Sequence, residues 1–458
     1  MFIFYDFETS SRSTLGQILS YSFRLVDETY QTQSRLSGQI RLSRIQLPEV
    51  GAILINRIDV DRLQKEGDPE PIAASRIHDF LLECLQHHEA CTLVGFNSNA
   101  FDLGFLRGLF IRYGLNPYFF GRLTNLDVLH FCQQIAFRQP HDFPWQLTEK
   151  PDGSWYYTFT LQSLAKAFGI LEGVQSHEAD EDVLLTIALV QKLTASTGFT
   201  LATFRPFSLP LGLPKKPVLL RQKALDYPQK GQQPEKIVYR YYVRLFSSGK
   251  DLILVDLGRY VQDPLEPFAC LRYINPNKQC FIAEPLTDSE NTQWAPVFNK
   301  VLGDPVFLTM TRETYFERIK KPRDIELQIH ELGFSRIDQL RESIDGLKQN
   351  PETYPTILNN LMASSTSSKD MALVQLFNRA YLNIHPHPPL AHLHRYLLPR
   401  YVTGTMLANP IDFVPLKKTV EGLEEHLAAA TDPEEMALLQ TIKRFTYDFI
   451  KKFQLPLD

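Results

Sequence analysis

The run Met1-Phe2-Ile3-Phe4-Tyr5-Asp6-Phe7-Glu8-Thr9 ends an apolar, strand-like stretch with two carboxylates two residues apart. Side chains alternate faces along a strand, so Asp6 and Glu8 project together. A strand this apolar belongs inside a sheet, and a buried strand rarely ends in paired acids without a reason. Two carboxylates at that spacing repel each other unless a cation sits between them. The first expectation is therefore a divalent-metal site on a buried strand. An isolated Asp-x-Glu pair is more often a solvated edge-strand position, so the remaining chain has to supply further ligands.

The first 200 residues read as α/β. Ile18–Val26 alternates like a second strand, Gln39–Leu42 reads as a third, and Thr92–Phe96 is a short buried strand. Helical spacing covers Ile72–Leu85, Leu103–Tyr113, Leu161–Phe168 and Val183–Leu193. Strands and helices in this order predict one mixed sheet covered by helices. A proline-rich stretch, Pro206 to Pro217, marks a boundary. Beyond it, Lys236–Phe246 and Asp251–Asp256 flank Ser247-Ser248-Gly249-Lys250 as a hairpin, and short strands are expected around Cys270–Tyr273 and Pro305–Leu308. Arg336–Lys348, Pro355–Met362 and Met371–Asn378 turn helical, and Glu421–Phe453 is nearly continuous helix broken at Thr431-Asp432-Pro433. The predicted division is 1–200, an α/β domain; 201–345, a small β-rich barrel; and 346–458, a helical domain.

Charge is uneven along the chain. Residues 1–200 hold 16 Lys+Arg against 23 Asp+Glu, whereas residues 201–345 hold 21 against 18. Within 201–250, Arg205, Lys215, Lys216, Arg221, Lys223, Lys230, Lys236, Arg240, Arg244 and Lys250 face only Asp226 and Glu235. An acidic part that needs cations, followed by a basic band, suits a polyanionic substrate. No run approaches the ~18 apolar residues of a membrane helix. The first strand begins with no basic leader, and the five cysteines form no C-x-x-C pair, which points to reduced thiols in a cytoplasmic protein. His385, His387, His392 and His394 fall within ten residues, but interspersed prolines and the lack of a nearby Cys favour a surface loop over structural zinc.

Two further segments can complete the metal site. In Leu93-Val94-Gly95-Phe96-Asn97-Ser98-Asn99-Ala100-Phe101-Asp102, a buried strand runs into Asn97 and Asp102 opens the next helix. An acid there is also favoured by the helix dipole, so Asp102 alone is ambiguous. In His177-Glu178-Ala179-Asp180-Glu181-Asp182, Asp182 sits on a helix and His177 on the loop before it. An imidazole of ordinary pKa, about 6.5, can take a proton from water at neutral pH. Glu178, Asp180 and Glu181 read as a solvated acidic helix start.

The order Asp-x-Glu, Asn-x-x-x-Phe-Asp and His-x-x-x-x-Asp resembles the DEDD exonuclease superfamily, His subclass. That resemblance implies a ribonuclease-H-like fold, 3′→5′ removal of nucleotides, Asp6, Glu8, Asp102 and Asp182 as metal carboxylates, and His177 as general base. Some 270 residues follow Asp182, which within the superfamily resembles the exodeoxyribonuclease I family. There the nuclease domain is followed by an SH3-like barrel and a helical domain that encloses single-stranded DNA. Phe4-Tyr5-Asp6-Phe7-Glu8-Thr9, Gly51 to Ile58, Leu126-Asp127-Val128-Leu129, Thr160 to Leu164, Ile253 to Leu257, Phe377-Asn378 and Arg400 to Thr405 look similar to that family. Asn56, the short loop after Gly16 and Lys230-Gly231-Gln232-Gln233-Pro234 depart from it.

The resemblance implies two Mg²⁺ ions per site, replaceable by Mn²⁺, with one held by Asp6, Glu8 and Asp182 and the second mainly by Asp6 with water-mediated support from Asp102. Products would be 5′-mononucleotides, in a role in DNA repair and recombination. Glu8, Thr9, Asn97 and Phe101 are candidates for holding the 3′-terminal nucleotide. Tyr239-Arg240-Tyr241-Tyr242-Val243-Arg244 interleaves ring and charge as a strand-binding surface requires, although a half-exposed strand explains it almost as well. Arg138 lies in a segment resembling one that holds the acidic tail of single-strand-binding protein. A monomer is expected. The competing readings are a 3′→5′ exoribonuclease and a catalytically idle single-strand-binding protein on the same fold.

Overall fold

The computed structural model describes residues 1–173, 175, 177–205, 207–208, 217–226, 234–248, 251–262, 267–275, 281–320, 334–403 and 415–457. The chain forms two compact units, one of residues 1–125, 176–184 and 322–458 and the other of 126–175 and 185–321.

The first unit is built on a five-stranded sheet. Its strands are β1 (Phe2–Thr9), β2 (Ile18–Val26), β3 (Thr32–Gln39), β4 (Cys91–Gly95) and β5 (Leu123–Asp127), in spatial order β3-β2-β1-β4-β5. β1 pairs antiparallel with β2 and parallel with β4, so the sheet is mixed. Helices α1 (Val50–Asn56), α2 (Val60–Glu66), α3 (Glu70–His87) and α4 (Asp102–Arg112) follow in order. One face of β1 and β2 carries Ile3, Tyr5, Phe7, Tyr21, Phe23 and Leu25, which pack under the apolar stripes of α3 and α4. The opposite face carries Asp6 and Glu8, directly across the ladder from Ser22 and Ser20. The two-residue period thus puts hydrophobic residues on one side of β1 and acids on the other.

The third strand is Thr32–Gln39, not Gln39–Leu42. Its sequence, TQSRLSGQ, is mostly exposed and lies at the sheet edge, where no apolar alternation is demanded. Ile40 lies past the end of β3, in an isolated bridge to Asp68, with its N–H donating to the Leu19 carbonyl at 2.7 Å.

The second unit contains α5 (Val128–Arg138), the ribbon β6 (Gln146–Glu149) and β7 (Trp155–Thr158), α6 (Leu161–Ala167) and most of α7 (Ala179–Thr197). It also holds β8 (Phe207–Ser208), β9 (Val218–Ala224), β10 (Val238–Ser248), β11 (Asp251–Asp256), α8 (Leu257–Gln262), β12 (Leu271–Ile274) and β13 (Phe281–Glu284). β8 to β13 form a six-stranded sheet in the order β12-β11-β10-β9-β13-β8, and no closed barrel is found among the described residues. The hairpin of β10 and β11 forms as expected. Pro305–Leu308 is not a strand. It begins helix α10 (Pro305–Lys320), where the Asp304 carboxylate accepts from the Phe307 N–H and Pro305 takes the first helical position. Helix α9 (Asp288–Leu302) precedes it, started by a Thr287/Glu290 capping box.

The C-terminal helices α11 (Phe334–Gln349), α12 (Tyr354–Ala363), α13 (Ser368–Ile384), α14 (Leu390–Leu397), α15 (Leu416–Ala429) and α16 (Pro433–Phe453) belong to the first unit. Leu15, Ile45, Leu47 and Ile111 share one core with Leu340, Phe377, Tyr381 and Phe449. A second core joins Leu19, Val50, Ile53, Val60 and Leu63 to Leu423, Leu439 and Ile442. Polar groups also bridge these segments. The buried Glu70 carboxylate accepts from Arg112 and Tyr113, each at 2.7 Å, Asn383 donates to the Tyr113 hydroxyl at 3.3 Å, and Ser43 donates to Asn383.

Of the four histidines, His385 and His387 lie in the loop between α13 and α14, as expected, but the other two do not. His392 and His394 lie on α14, with His392 against the Tyr354 and Tyr381 rings and a ring nitrogen of His394 bonded to the Phe453 carbonyl at 2.6 Å. Lys215, Lys216, Lys230, Lys250, Cys280, Gly404, Thr405, most of the Pro206–Pro217 boundary and 230–233 of the glutamine-rich stretch lie outside the described residues. Among the described residues, no helix is long and apolar enough to cross a membrane.

Candidate active site

Asp6 and Glu8 leave the acid face of β1 just before a register shift between Glu8 and Thr9. Such a bulge bends the strand and re-aims its last side chains. Glu8, His177 and Asp182 come together, each offering one ligand atom, with all three atoms within 4.8 Å of one another. Asp6 and Asp102 stand outside that triad and act on it through charge. Burial, reinforced by Asp102, Glu8 and Asp182, raises the Asp6 carboxyl well above its ordinary value. Burial together with Asp182 and Asp102 pushes Glu8 up to about 9. Four carboxylates gathered from β1, α4 and α7 therefore share one repulsive field.

The donor set is carboxylate oxygens plus one imidazole, in a largely buried cluster. That chemistry fits a hard divalent cation, whose charge would offset the burial and mutual repulsion that raise the Asp6 and Glu8 carboxyls.

Local structure places each group. Asp102 is 3% exposed in the first turn of α4. The preceding loop turns sharply, with Asn97 at φ 57°, a left-handed conformation that Asn tolerates. A side chain on Gly95 would meet Ser98 Cβ at 2.6 Å and the Tyr5 ring at 3.2 Å, so glycine lets β4 enter this turn. Asn125 on β5 braces the loop. It accepts from the Tyr5 hydroxyl at 2.9 Å and donates to Ser98 Oγ at 3.3 Å and Asn99 Oδ1 at 2.9 Å.

The start of α7 is held differently. Asp180 accepts from Ser22 Oγ at 2.8 Å and from Arg24 at 3.2 and 2.6 Å. Burial would raise the Asp180 carboxyl, but the bonds from Arg24 and Ser22 outweigh it and hold it below its ordinary value. Asp180 is thus a tether to β2 rather than a solvated helix start. Because Ser22 faces Asp6 across the ladder, the tether seats the turn bearing Asp182 beside the acid face of the sheet. His177 lies just before this helix at φ 57°.

The other predicted residues occupy varied settings. Thr9 is 4% exposed, its hydroxyl donates to the Ser11 carbonyl at 2.8 Å, and its carbonyl accepts from Asn56 at 2.9 Å. Phe101 precedes Asp102 and packs on Phe105, with ring centroids 4.9 Å apart. Arg138 ends α5 in the second unit, its guanidinium 5.0 Å from the Phe199 ring centroid. Sequence reasoning missed the Asn125 brace and the Arg24–Ser22–Asp180 tether. Each joins residues far apart in the chain, and neither has a local motif.

No family profile matches the chain. It is 32% identical to exodeoxyribonuclease I of Escherichia coli K12 over 151 residues, which is 32% of this chain and 29% of that protein. It is 27% identical to exodeoxyribonuclease I of Buchnera aphidicola from Schizaphis graminum over 195 residues, 42% of this chain and 38% of the relative. These matches span well under half the length of the curated relatives. The fold likeness is much wider. Escherichia coli exonuclease I, in a zinc-bound complex with single-stranded DNA, superimposes with a TM-score of 0.69 at 17% identity, covering 98% of this chain and 99% of that one. A moderately thermophilic exonuclease I from Methylocaldum szegediense gives the same score, identity and coverage. The chain therefore resembles exodeoxyribonuclease I in sequence over part of its length and in fold over nearly all of it.

Proposed function

We propose that the protein is a 3′→5′ exonuclease that degrades single-stranded DNA to 5′-mononucleotides. The observation that carries this reading is the cluster of Glu8, His177 and Asp182 within 4.8 Å, joined electrostatically to Asp6 and Asp102. Two Mg²⁺ ions, replaceable by Mn²⁺, would be held by Asp6, Glu8, Asp182 and Asp102 and would supply Lewis-acid stabilisation of the charge that develops on the phosphate and the leaving 3′-oxygen. His177 takes the proton of the attacking water on an imidazole nitrogen. Glu8, Thr9, Asn97 and Phe101 are the proposed contacts to the terminal nucleotide, with Phe101 offering a ring edge to the last base. The buried Thr9 hydroxyl, already donating to Ser11, can serve only as an acceptor there.

The surrounding parts fit this reading. The sheet of β8 to β13 stands where the SH3-like barrel is expected, and we keep that assignment, with the boundaries 1–200, 201–345 and 346–458, as part of the proposal. Arg138 lines a hollow of about 330 Å³ with Lys223, Arg240 and Arg272, a basic setting suited to the acidic tail of single-strand-binding protein. Repair and recombination in the cytoplasm, by a monomer, are the corresponding role and state.

The test uses single-stranded DNA labelled at the 3′ or 5′ end, duplex DNA and RNA, each with Mg²⁺ and with EDTA. Mg²⁺-dependent release of mononucleotides from the 3′ end of single-stranded DNA is expected. Release from RNA alone, or cleavage that survives EDTA, overturns the reading. Asp6→Ala and Asp182→Ala should abolish cleavage while DNA binding persists, and His177→Ala should lower the rate by about 10²–10⁴-fold.

A further inference from the structure

A second hollow, of about 870 Å³, opens in the first unit between the 41–71 segment and the C-terminal helices α13 and α16. It shares no residue with the carboxylate cluster. Its walls bring cations from separate parts of the chain: Arg41 and Arg44 from the loop after β3, Lys65 from α2, and Arg444 and Lys452 from α16. This is unexpected in a part of the molecule whose first 200 residues carry a surplus of acids.

The acids that line the same hollow are largely spent. Asp61 is ion-paired with Arg444. Glu70 is buried and bonded to Arg112 and Tyr113. Only Asp448 remains to face Arg41, Arg44, Lys65 and Lys452. Among the described residues, none of these four cations has an ion-pair partner. Arg44 is fixed in place by donating to the Pro386 carbonyl at 2.8 Å. Burial and the neighbouring Arg41 both disfavour its charge, the mirror image of the crowded carboxylates at the other site. Two guanidiniums lining one concavity each offer a fork of N–H donors matched to phosphate oxygens. Half-buried Phe445 and the rings of Pro69 and Pro71 add apolar surface to the same walls.

We propose that this hollow binds a phosphate-bearing ligand of nucleotide size, with Arg41 and Arg44 on the phosphate and Lys65 and Lys452 at the rim. Two sources share that chemistry: a free nucleoside monophosphate and a nucleotide within a single strand. The proposal is independent of the nuclease reading, because it uses none of the same side chains.

The experiment is calorimetric titration of the full chain in EDTA at low salt with inorganic phosphate, dAMP and the octamer (dT)8. Without metal, the four-carboxylate site repels anions, and the part of the binding that substitution of Arg41 and Arg44 removes reports the basic hollow, as distinct from the Arg138 hollow and the rest of the strand-binding surface. Saturable binding of dAMP or (dT)8, tighter than that of inorganic phosphate, is expected. Arg41→Gln with Arg44→Gln should weaken it by about tenfold or more, as expected for losing charged hydrogen bonds. Lys65→Gln with Lys452→Gln, both at exposed positions, should weaken it less and flatten its salt dependence. Affinity for dAMP equal to that for (dT)8 assigns a free nucleotide, and much tighter (dT)8 assigns a strand. Failure of all probes to saturate, equal affinity for inorganic phosphate and dAMP, or wild-type affinity in both double variants overturns the proposal.

Discussion

Glu8 has much to gain from a cation. Its carboxyl is pushed from 4.5 up to about 9 by burial and by the neighbouring acids. A carboxyl raised on folding favours the folded state below its unfolded value and loses that contribution as pH rises toward the folded one. The metal-free protein should therefore lose thermal stability as pH climbs from about 4.5 to about 9. Added Mg²⁺ should raise the melting temperature far more at pH 8 than at pH 5, because metal binds the deprotonated set. Glu8→Gln should flatten the metal-free pH dependence, and scanning calorimetry with and without EDTA would measure both effects. An unchanged slope in Glu8→Gln would remove Glu8 as the cause. The Asp180 tether acts one step back. Asp180→Asn or Arg24→Gln should leave the chain folded but cost roughly 10–100-fold in metal affinity or activity, the usual effect of loosening a ligand's support. An activity titration against Mg²⁺ should show the midpoint moving to higher concentration; an unmoved midpoint would make the tether purely structural.

At the level of elements, the buried pair of Arg112 on α4 and Glu70 on α3 carries the sharpest stability prediction. Burial alone would raise the Glu70 carboxyl, yet Arg112, Arg379 and the Tyr113 hydroxyl hold it below its ordinary value. Glu70→Ala should cost about 3–5 kcal/mol in denaturant unfolding, because it strands a buried guanidinium. In the native chain this contribution is present above the unfolded carboxylate pKa and fades as pH falls through the lowered one. The elements differ in how openly the sequence announces them. β1 and β4 were legible because their apolar runs are short, buried and nearly continuous, and β2 because its apolar residues alternate with Ser20, Ser22 and Arg24. β3 was not, since an edge strand needs only backbone pairing and its residues are mostly polar. The start of α10 was misread because Pro-Val-Phe-Leu looks strand-like until Asp304 is recognised as its cap. The site was legible wherever chemistry sits in a short motif, as in Asp6/Glu8 or His177/Asp182. The tether was hidden because Arg24 and Asp180 are 156 residues apart and neither is unusual locally.

For the whole molecule, the C-terminal helices complete cores begun by the loops and helices around the first sheet. Leu15, Ile45, Leu47 and Ile111 complete their core only with residues from α11 to α16. A fragment ending near residue 205 should therefore fail to unfold cooperatively, whereas the full chain should show a sharp transition; a cooperative fragment would show that the sheet is self-sufficient. The same packing sets a timetable during synthesis. Leu47 leaves the ribosome some 400 residues ahead of Phe449, with which it shares a core. At about 5–20 residues per second, that apolar surface waits roughly 20–80 s for its cover. The nascent chain should therefore lean on holding chaperones, and its yield in a cell should follow their supply more closely than the stability of the finished protein.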